Sequence, residues 1–261
     1  MHRFYLHDIT ESEKSLTITG EDVNHIVNVL RLRIGDEITV SDGGSRDYKC
    51  KISEFIATDK IGPDSKVMAD IVDIEENSAE LPADIILFQG YPKGDKLDTI
   101  IQKCVELGVT SIIPVMMERT VVKLEDKKIS KKLERYNKIS EATAKQSRRG
   151  IIPDVPEVMS FKKAVEYAKS LDIILFPYEF AEGMKTSRDI IGEVVKSVRE
   201  DISGSRKKIG IFIGPEGGFA DSEAKILTEM GAKVISLGHR ILRTETAGMT
   251  VMSVLSFMLD E

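Results

Sequence analysis

Beyond residue 82, short apolar runs alternate with amphipathic stretches of helical length. The apolar runs, rich in β-branched residues, are 85–89, 111–115, 173–176, 209–213 and 234–237. The stretches with helical spacing are 95–107, 129–146, 161–169, 188–199, 221–230 and 246–259. This alternation is typical of a mostly parallel sheet covered by helices on both faces. It predicts an α/β domain whose ligands bind at the carboxyl ends of the strands.

The first 75 residues follow a different rhythm. Strand-like runs at 37–41, 48–56 and 67–74 are separated by the turn signals Asp42-Gly43-Gly44 and Gly62-Pro63. Helical spacing of apolar residues predicts one helix over 22–32. A polar segment, 75–82, ends in proline and separates the two rhythms. We therefore predict two domains, with 1–75 as a small barrel or sheet and 76–261 as the α/β domain.

Composition limits the partners of this chain. Its 261 residues carry a formal net charge of -6, so any contact with nucleic acid must be local rather than spread over a basic surface. The amino terminus lacks a secretory pattern and the apolar stretch 248–259 is too short to cross a bilayer, which favours a cytoplasmic protein that does not enter a membrane. Cys50 and Cys104 have no CxxC spacing, so we expect reduced packing residues and no metal site. The four histidines, His2, His7, His25 and His239, show no paired ligand spacing either.

Three strand ends of the predicted sheet lead into loops of unusual composition. The run 209–213 is followed by Gly214-Pro215-Glu216-Gly217-Gly218-Phe219, the run 173–176 by Pro177-Tyr178-Glu179, and the run 234–237 by Gly238 to Ala247. Glycines let backbone N–H groups approach a ligand closely. The spacing fits neither a phosphate-binding P-loop nor the dinucleotide fingerprint, and no GxSxG elbow is present. Taken alone, the glycine-rich loop is either a tight connection or a ligand loop.

The order of these motifs closely resembles the ribosomal RNA small subunit methyltransferase E family, the 16S rRNA (uracil(1498)-N(3))-methyltransferases of the SPOUT superfamily. The residues that carry the likeness are Gly214 to Phe219, Leu237-Gly238 and Ile241-Leu242-Arg243-Thr244-Glu245-Thr246-Ala247. Further similar motifs are Lys93-Gly94-Asp95-Lys96, Gln102-Lys103, Glu106-Leu107-Gly108, Glu141-Ala142, Gln146-Ser147-Arg148-Arg149 with Pro153, Arg3-Phe4, and Val29 to Arg33 with Gly35-Asp36. The resemblance covers nearly the whole chain.

The resemblance implies an architecture and an assembly. The expected fold is a PUA-like RNA-binding β-barrel in front of a SPOUT α/β methyltransferase domain with a carboxyl-terminal trefoil knot. The family acts as a homodimer. The last predicted helix is an interface candidate, although an ordinary core helix would have the same composition, and its apolar residues are Met249, Val251, Met252, Val254, Leu255 and Met258.

The resemblance also implies a cofactor, S-adenosyl-L-methionine, and a substrate, 16S rRNA within the small ribosomal subunit. The residues expected to bind the cofactor are Phe176, Pro177, Glu179, Gly214, Gly217, Gly218, Leu237, Gly238, Ile241 and Leu242. We expect Arg243 to stabilise the charge that develops on a uracil carbonyl. Glu216 or Glu245 is a candidate proton acceptor, with loop or helix capping as the alternative role. The residues expected to bind RNA are Arg3, Arg31, Arg33, Arg148 and Arg149.

Two other functions fit the same residues. One is a SPOUT methyltransferase that modifies another position, such as a ribose 2'-hydroxyl or a transfer RNA. The other is a noncatalytic RNA-binding assembly factor that kept the fold. Calorimetric titration with S-adenosylmethionine separates an assembly factor from either enzyme, because a factor of that kind does not need the cofactor.

Overall fold

A computed structural model describes residues 2–260 except 7, 8, 11, 45, 57–61, 63, 78, 125, 180 and 203. The expectations for His7 and for the turn at Pro63 lie outside the described residues. The chain divides into two compact units. The amino-terminal unit comprises Met1–Glu80 and Lys145–Ile152, and the α/β unit comprises Leu81–Ala144 and Pro153–Glu261. The sequence predicted a single boundary after residue 75. In the structure the amino-terminal unit also includes a later segment, Lys145–Ile152.

The amino-terminal unit contains a five-stranded sheet in the order β1-β3-β4-β5-β2. Its strands are β1 His2–Tyr5, β2 Ser15–Ile18, β3 Glu37–Ser41, β4 Arg46–Ile56 and β5 Lys66–Glu76. β1 pairs with β3 in parallel, and the other pairs are antiparallel. Alternating inward side chains such as Ile38, Val40 and Ile52 form its core with Phe4 and Leu16.

The helix expected over 22–32 is shorter in the structure. α1 spans Glu21–Asn24 and continues as a π-helical segment, His25–Val29, in which Leu30 N–H donates to the His25 carbonyl at 2.8 Å. Arg31 then adopts a φ of 54°, a left-handed conformation that cannot continue a right-handed helix. The last predicted turn therefore unwinds, and Arg31 and Arg33 lie beyond the helix.

The α/β unit contains a six-stranded parallel sheet in the order β11-β9-β10-β6-β7-β8. Its strands are β6 Ala83–Gly90, β7 Ser111–Met116, β8 Met159–Ser160, β9 Ile173–Pro177, β10 Lys207–Ile213 and β11 Lys233–Ile235. Its helices are α2 Lys96–Glu106, α3 Asp126–Ser147, α4 Phe161–Ala168, α5 Met184–Arg199, α6 Asp221–Glu229 and α7 Thr244–Leu259, and the last residues of α3 belong to the amino-terminal unit. All strands and helices expected in this region are present, and β8 is additional.

Helix α7 packs against α2, α5, β6 and β10. Val251, Met252 and Leu255 are buried there in the core of their own unit. They therefore cannot form an interface with a second copy. This corrects the expectation for three of the six apolar residues of this helix that were interface candidates. The exposed apolar side chains of α7 are Val254 and Phe257, at 40% and 86% exposure.

The two cysteines are free and buried, one in each unit, as the sequence predicts. Burial raises the pKa of both thiols to about 12, with Asp70 contributing at Cys50. Both are therefore protonated packing groups at neutral pH. None of the helices in the described part of the chain combines the length and hydrophobicity that crossing a bilayer requires.

Candidate active site

Three neighbouring strands of the α/β unit end at one edge of its sheet. β9, β10 and β11 run parallel and stop at Pro177, Ile213 and Ile235, so the loops that follow them emerge together. The Tyr178 N–H donates to the Ile235 carbonyl at 3.0 Å, which joins the first and third loops. In an open parallel sheet such an edge is where ligands bind.

The glycine-rich loop after β10 is closely packed against the end of β6. A Cβ on Gly90 would lie 2.4 Å from the Pro215 nitrogen, so only glycine permits this approach. Within the loop, Gly218 N–H donates to the Pro215 carbonyl at 2.9 Å with a φ of 68° at Gly218. Phe219 then enters the core and packs edge-on against Phe176, with ring centroids 5.8 Å apart. The loop is therefore a fixed turn with an exposed tip.

Hydrogen bonds connect this loop to the start of α7. The Thr244 hydroxyl donates to the Gly214 carbonyl at 2.6 Å and accepts from Gln89 Nε2 at 2.8 Å. Gln89 is fully buried at the end of β6. Arg243, the N-cap residue of α7, precedes Thr244 and is exposed. The fold thus fixes the backbone beside Arg243 while its side chain faces solvent at the carboxyl edge of the sheet.

Lys96, at the start of α2, lies between two carboxylates. Its ammonium is 2.9 Å from Glu216 Oε1 and 3.5 Å from Glu245 Oε2, and we call this arrangement the Lys96 bridge. Glu216 also accepts from the Lys93 N–H at 3.0 Å. The bridge connects the glycine-rich loop to the first turn of α7. Its sequence signal was the Lys93-Gly94-Asp95-Lys96 motif, which gave no indication of the partners.

The two candidate proton acceptors differ in their hydrogen bonding. Burial favours a raised pKa at Glu216, but the hydrogen bonds from Lys96 and from the Lys93 N–H outweigh it, and the pKa of Glu216 lies below its usual value. Glu245 Oε2 is buried, and its contact with the Lys96 ammonium is longer, at 3.5 Å. Glu216 is therefore held by two close donors, whereas Glu245 is held by a more distant one.

The glycines of the loops differ in the space beside them. A Cβ on Gly218 or Gly238 would meet no atom within 4 Å, and both residues have positive φ values. A Cβ on Gly217, by contrast, would lie 2.9 Å from the Arg119 Cβ, and Arg119 donates to the Gly217 carbonyl at 3.3 Å. Open backbone at Gly218 and Gly238 has room for a ligand, whereas Gly217 faces the connection after β7.

The other residues expected to bind a cofactor are distributed between core and surface. Phe176 is fully buried, so only its backbone could reach a ligand at the loop edge. Pro177, Leu237 and Leu242 are half-buried. Glu179 is exposed, and Ile241 is 94% exposed, an unusual position for a large apolar side chain.

The arginines expected to bind RNA separate into two groups. Arg3 forms a two-point ion pair with Asp47, with both N–O distances at 2.6 Å, and Arg149 is buried against Glu80 at 2.6 and 2.8 Å. These two side chains are therefore occupied by ion pairs within the amino-terminal unit, which the sequence did not indicate. The exposed members are Arg31, Arg33 and Arg148.

Arg31 and Arg148 share a rare backbone conformation. With φ values of 54° and 60°, they are the two non-glycine residues with positive φ in the described ranges. Such strain persists only where the surroundings impose it. At Arg148 the neighbouring contacts are the buried Arg149–Glu80 pair and the Gly150 N–H, which donates to Glu80 at 2.8 Å.

Known families and proteins match both units. A family model described as an RNA methyltransferase domain matches residues 79–256, and one described as an RNA methyltransferase PUA domain matches residues 18–55. The Bacillus subtilis protein named ribosomal RNA small subunit methyltransferase E is 36% identical, over 96% of this chain and 93% of the relative. The Aquifex aeolicus protein of the same name is 33% identical, over 98% and 99%. A crystal structure of a ribosomal RNA small subunit methyltransferase E from Neisseria gonorrhoeae bound to S-adenosyl methionine matches with a TM-score of 0.79 and 28% identity, over 99% of this chain and 98% of that one.

Proposed function

The chain belongs to the ribosomal RNA small subunit methyltransferase E family of RNA methyltransferases, and on that premise we propose that it methylates N3 of a specific uridine in 16S rRNA, using S-adenosylmethionine. The observation that carries this proposal is the contact of the glycine-rich loop with the start of α7, through the Thr244 hydroxyl and the Gly214 carbonyl. It brings backbone open to a ligand next to an exposed arginine.

Open backbone at Gly218 and Gly238 has room for the cofactor. The rest of the proposed cofactor site consists of Gly214, Leu237, Ile241, Leu242, Pro177, Glu179 and the backbone of Phe176. When bound, S-adenosylmethionine supplies a methyl group already activated on a sulfonium. Ile241 and Leu242 would cover the adenine face, which accounts for the exposure of Ile241 in the free protein. Gly217 contributes by shaping the loop against Arg119.

Arg243 is the proposed catalytic residue. The uracil N3 is protonated at neutral pH and must lose its proton to accept a methyl group. A guanidinium that donates to a uracil carbonyl oxygen stabilises the anion as charge spreads onto that oxygen. The bonds of Thr244 to Gly214 and Gln89 position the backbone that carries this guanidinium.

Of the two carboxylates, we assign the N3 proton to Glu245. Its Oε2 accepts no close hydrogen bond from the described residues and contacts the Lys96 ammonium only at 3.5 Å, whereas Glu216 accepts from Lys93 and Lys96 and has a lowered pKa. A carboxylate with a lowered pKa is the weaker base, which favours a positioning role for Glu216. Lys96 would orient the Glu245 carboxylate from 3.5 Å.

The amino-terminal unit is the proposed RNA-binding domain, with Arg31, Arg33 and Arg148 as phosphate contacts. Base edges of an unpaired or flipped nucleotide are accessible, so this unit would bind the RNA around an exposed uridine. We place the action of the protein in the cytoplasm, where small subunits mature. The division into RNA-binding and catalytic domains follows the two structural units.

Two further features belong to this proposal. The last part of the α/β unit would form a trefoil knot, and the protein would act as a homodimer. Val254 and Phe257, exposed on α7, are the proposed contacts with a second copy. A Phe257→Glu variant that keeps the mass of a dimer in analytical ultracentrifugation would contradict this interface.

Two measurements test the proposed function. Calorimetry should show S-adenosylmethionine binding to the purified protein, and absence of binding would favour the noncatalytic assembly factor. Small subunits from a strain that lacks the gene should then gain one methyl group, mapped by mass spectrometry. A methyl group on a ribose oxygen or on transfer RNA would support the other enzyme instead.

A further inference from the structure

Positive charge is concentrated in a segment that includes the first half of α3, although the net charge of the chain is negative. Between residues 123 and 138 the sequence has seven Lys and Arg but three Asp and Glu, in a chain of net charge -6. Five of these residues lie at helical spacing on one side of α3, and we call them the α3 basic face: Lys128, Lys131, Lys132, Arg135 and Lys138. Four of the five are exposed, and Lys132 is half-buried.

Helix stability does not explain this arrangement. α3 begins at Asp126, so Lys128 lies in its first turn, where the helix dipole disfavours cations. Lys128 and Lys132 are four residues apart, as are Lys131 and Arg135, and like charges at that spacing repel. A sequence selected only for a stable helix would place carboxylates at these positions.

The positive charge of the α3 basic face acts on a carboxylate within it. Glu134 pairs with Lys138 at 2.9 Å, and its pKa is lowered by that hydrogen bond first and by the charges of Lys138 and Lys131. Arg135 remains 58% exposed although it pairs with Asp98.

The α3 basic face adjoins the elements that support the candidate active site. The Lys132 ammonium lies 5.7 Å from the centre of the Tyr91 ring, and Tyr91 directly follows the end of β6 that packs on the glycine-rich loop. Arg135 pairs with Asp98 on α2, in the same helical turn as Lys96. The positive charges of the α3 basic face are thus close to the candidate active site, and both belong to the α/β unit.

We propose that the α3 basic face binds backbone phosphates of the substrate RNA beside the target nucleotide. This inference rests on the proposed function and adds a second phosphate-binding surface, on the α/β unit itself, to the arginines of the amino-terminal unit. Lysines suit the role because an ammonium is a point charge that binds phosphates without reading sequence. Counterion release from the RNA supplies the affinity.

The test replaces Lys128, Lys131 and Lys132 by glutamine, whose helix propensity is similar to that of lysine. Binding to 16S rRNA and to small subunits is measured over a series of salt concentrations. The slope of log affinity against log salt should decrease by about 2 for three lost phosphate contacts, since each contributes roughly 0.7 on single strands. Affinity at low salt should fall about tenfold or more, whereas the cofactor affinity and melting temperature should not fall.

A matched control makes the same charge change elsewhere on the α/β unit. Lys162 and Lys163 on α4 and Lys169 directly after it are exposed, and their replacement by glutamine also removes three positive charges. The control should keep the wild-type salt slope. Equal losses in both variants, or no loss in the α3 variant, would overturn the proposed surface.

The remaining outcomes separate the surface from the enzyme activity. If the α3 variant loses affinity for intact subunits but not for bare 16S rRNA, the partner is a ribosomal protein and the phosphate proposal is wrong. If the wild-type protein binds 16S rRNA through α3 but never methylates it, the proposed function fails and the surface stands. If the wild type binds neither RNA nor subunits, both fail.

Discussion

The basic residues that the sequence singles out have different contacts in the two units. In the amino-terminal unit, Arg3 and Arg149 are turned inward, and their ion pairs with Asp47 and Glu80 hold distant parts of the chain together, whereas Arg148 of the same unit is exposed. In the α/β unit, Arg243 and most of the α3 basic face are exposed, and Lys96 is held between two carboxylates of the candidate site. The difference shows that a cluster of basic residues in a sequence does not reveal which of them face solvent.

The largest effect is expected from breaking the buried ion pair at Arg149. Arg149→Ala leaves the Glu80 carboxylate, 6% exposed, without its guanidinium, and should destabilise the amino-terminal unit by about 3–5 kcal/mol. Urea unfolding followed by circular dichroism, with hydrogen exchange to localise the loss, measures this. The neighbouring exposed Arg148→Ala is the control and should change stability by less than about 0.5 kcal/mol. Equal stability of the two variants would show that the inward and outward arginines do not differ.

On the α/β unit, Arg243→Ala should affect the reaction and not the fold. An interaction made chiefly in the transition state appears in the rate, so methyl transfer should slow by about a hundredfold or more while cofactor affinity changes little. Single-turnover assays with saturating cofactor and small subunits measure the rate. Arg243→Lys should recover part of it, because lysine keeps the charge but not the planar fork. A near-normal rate for Arg243→Ala removes the catalytic role.

A smaller effect is expected from Glu216→Gln, which weakens the Lys96 bridge. Cofactor affinity should fall about two- to fivefold, the size typical of a partly exposed ion pair. Glu106→Gln is the control. It removes the ion pair between Lys103 and Glu106 on α2, the helix that carries Lys96, and leaves the glycine-rich loop unchanged. Calorimetry of both variants decides, and equal affinities would leave the bridge without a role in cofactor binding.

The bridge also predicts a pH dependence. The pKa of Glu216 is lowered in the folded protein, so its contribution to the free energy of unfolding is complete above the ordinary carboxyl value and is lost as the pH falls through the lowered pKa. The free energy of unfolding of the wild-type protein, measured by urea unfolding at several pH values, should therefore fall more steeply in acid than that of Glu216→Gln. Parallel curves for the two proteins would contradict the assignment.

The smallest effect concerns the strained backbone of the amino-terminal unit. Glycine adopts the φ of 60° at Arg148 without steric cost, so Arg148→Gly should stabilise the unit by up to about 1 kcal/mol. If the arginine binds a phosphate, the same change should weaken RNA binding and reduce its salt slope by roughly 1. A gain in stability with unchanged RNA binding would show that the strained backbone at Arg148 has no role in binding RNA.

The sequence predicted the buried framework well. Long β-branched runs identified β6, β7, β9 and β10 to within two residues at each end, because burial on both faces produces a strong local signal. The expected α/β methyltransferase domain preceded by a PUA domain is confirmed by the family matches and by the structural match over nearly the whole chain. β1, β2 and β8 were missed, since strands of two to four residues have too few positions for a periodic pattern.

The site was only partly predictable. Glycine-rich loops are recognisable because backbone that must approach a ligand requires particular residues, and those loops do meet at one edge. The Lys96 bridge was not predictable, because its partners lie 120 and 149 residues away in the chain. Burial of Arg149 was also invisible, since its environment depends on Glu80, Tyr5 and Ser41, all distant in sequence.

The return of residues 145–152 to the amino-terminal unit has a consequence for synthesis. Tyr5 and Ser41 donate to the carbonyls of Arg149 and Gly150, so these bonds cannot form until the ribosome has made that late segment. A nascent chain of 80 residues would leave both hydroxyls and Glu80 without these partners. The unit therefore completes its folding only after the first segment of the α/β unit, Leu81–Ala144, has been translated, and it cannot be exchanged between proteins as one continuous cassette.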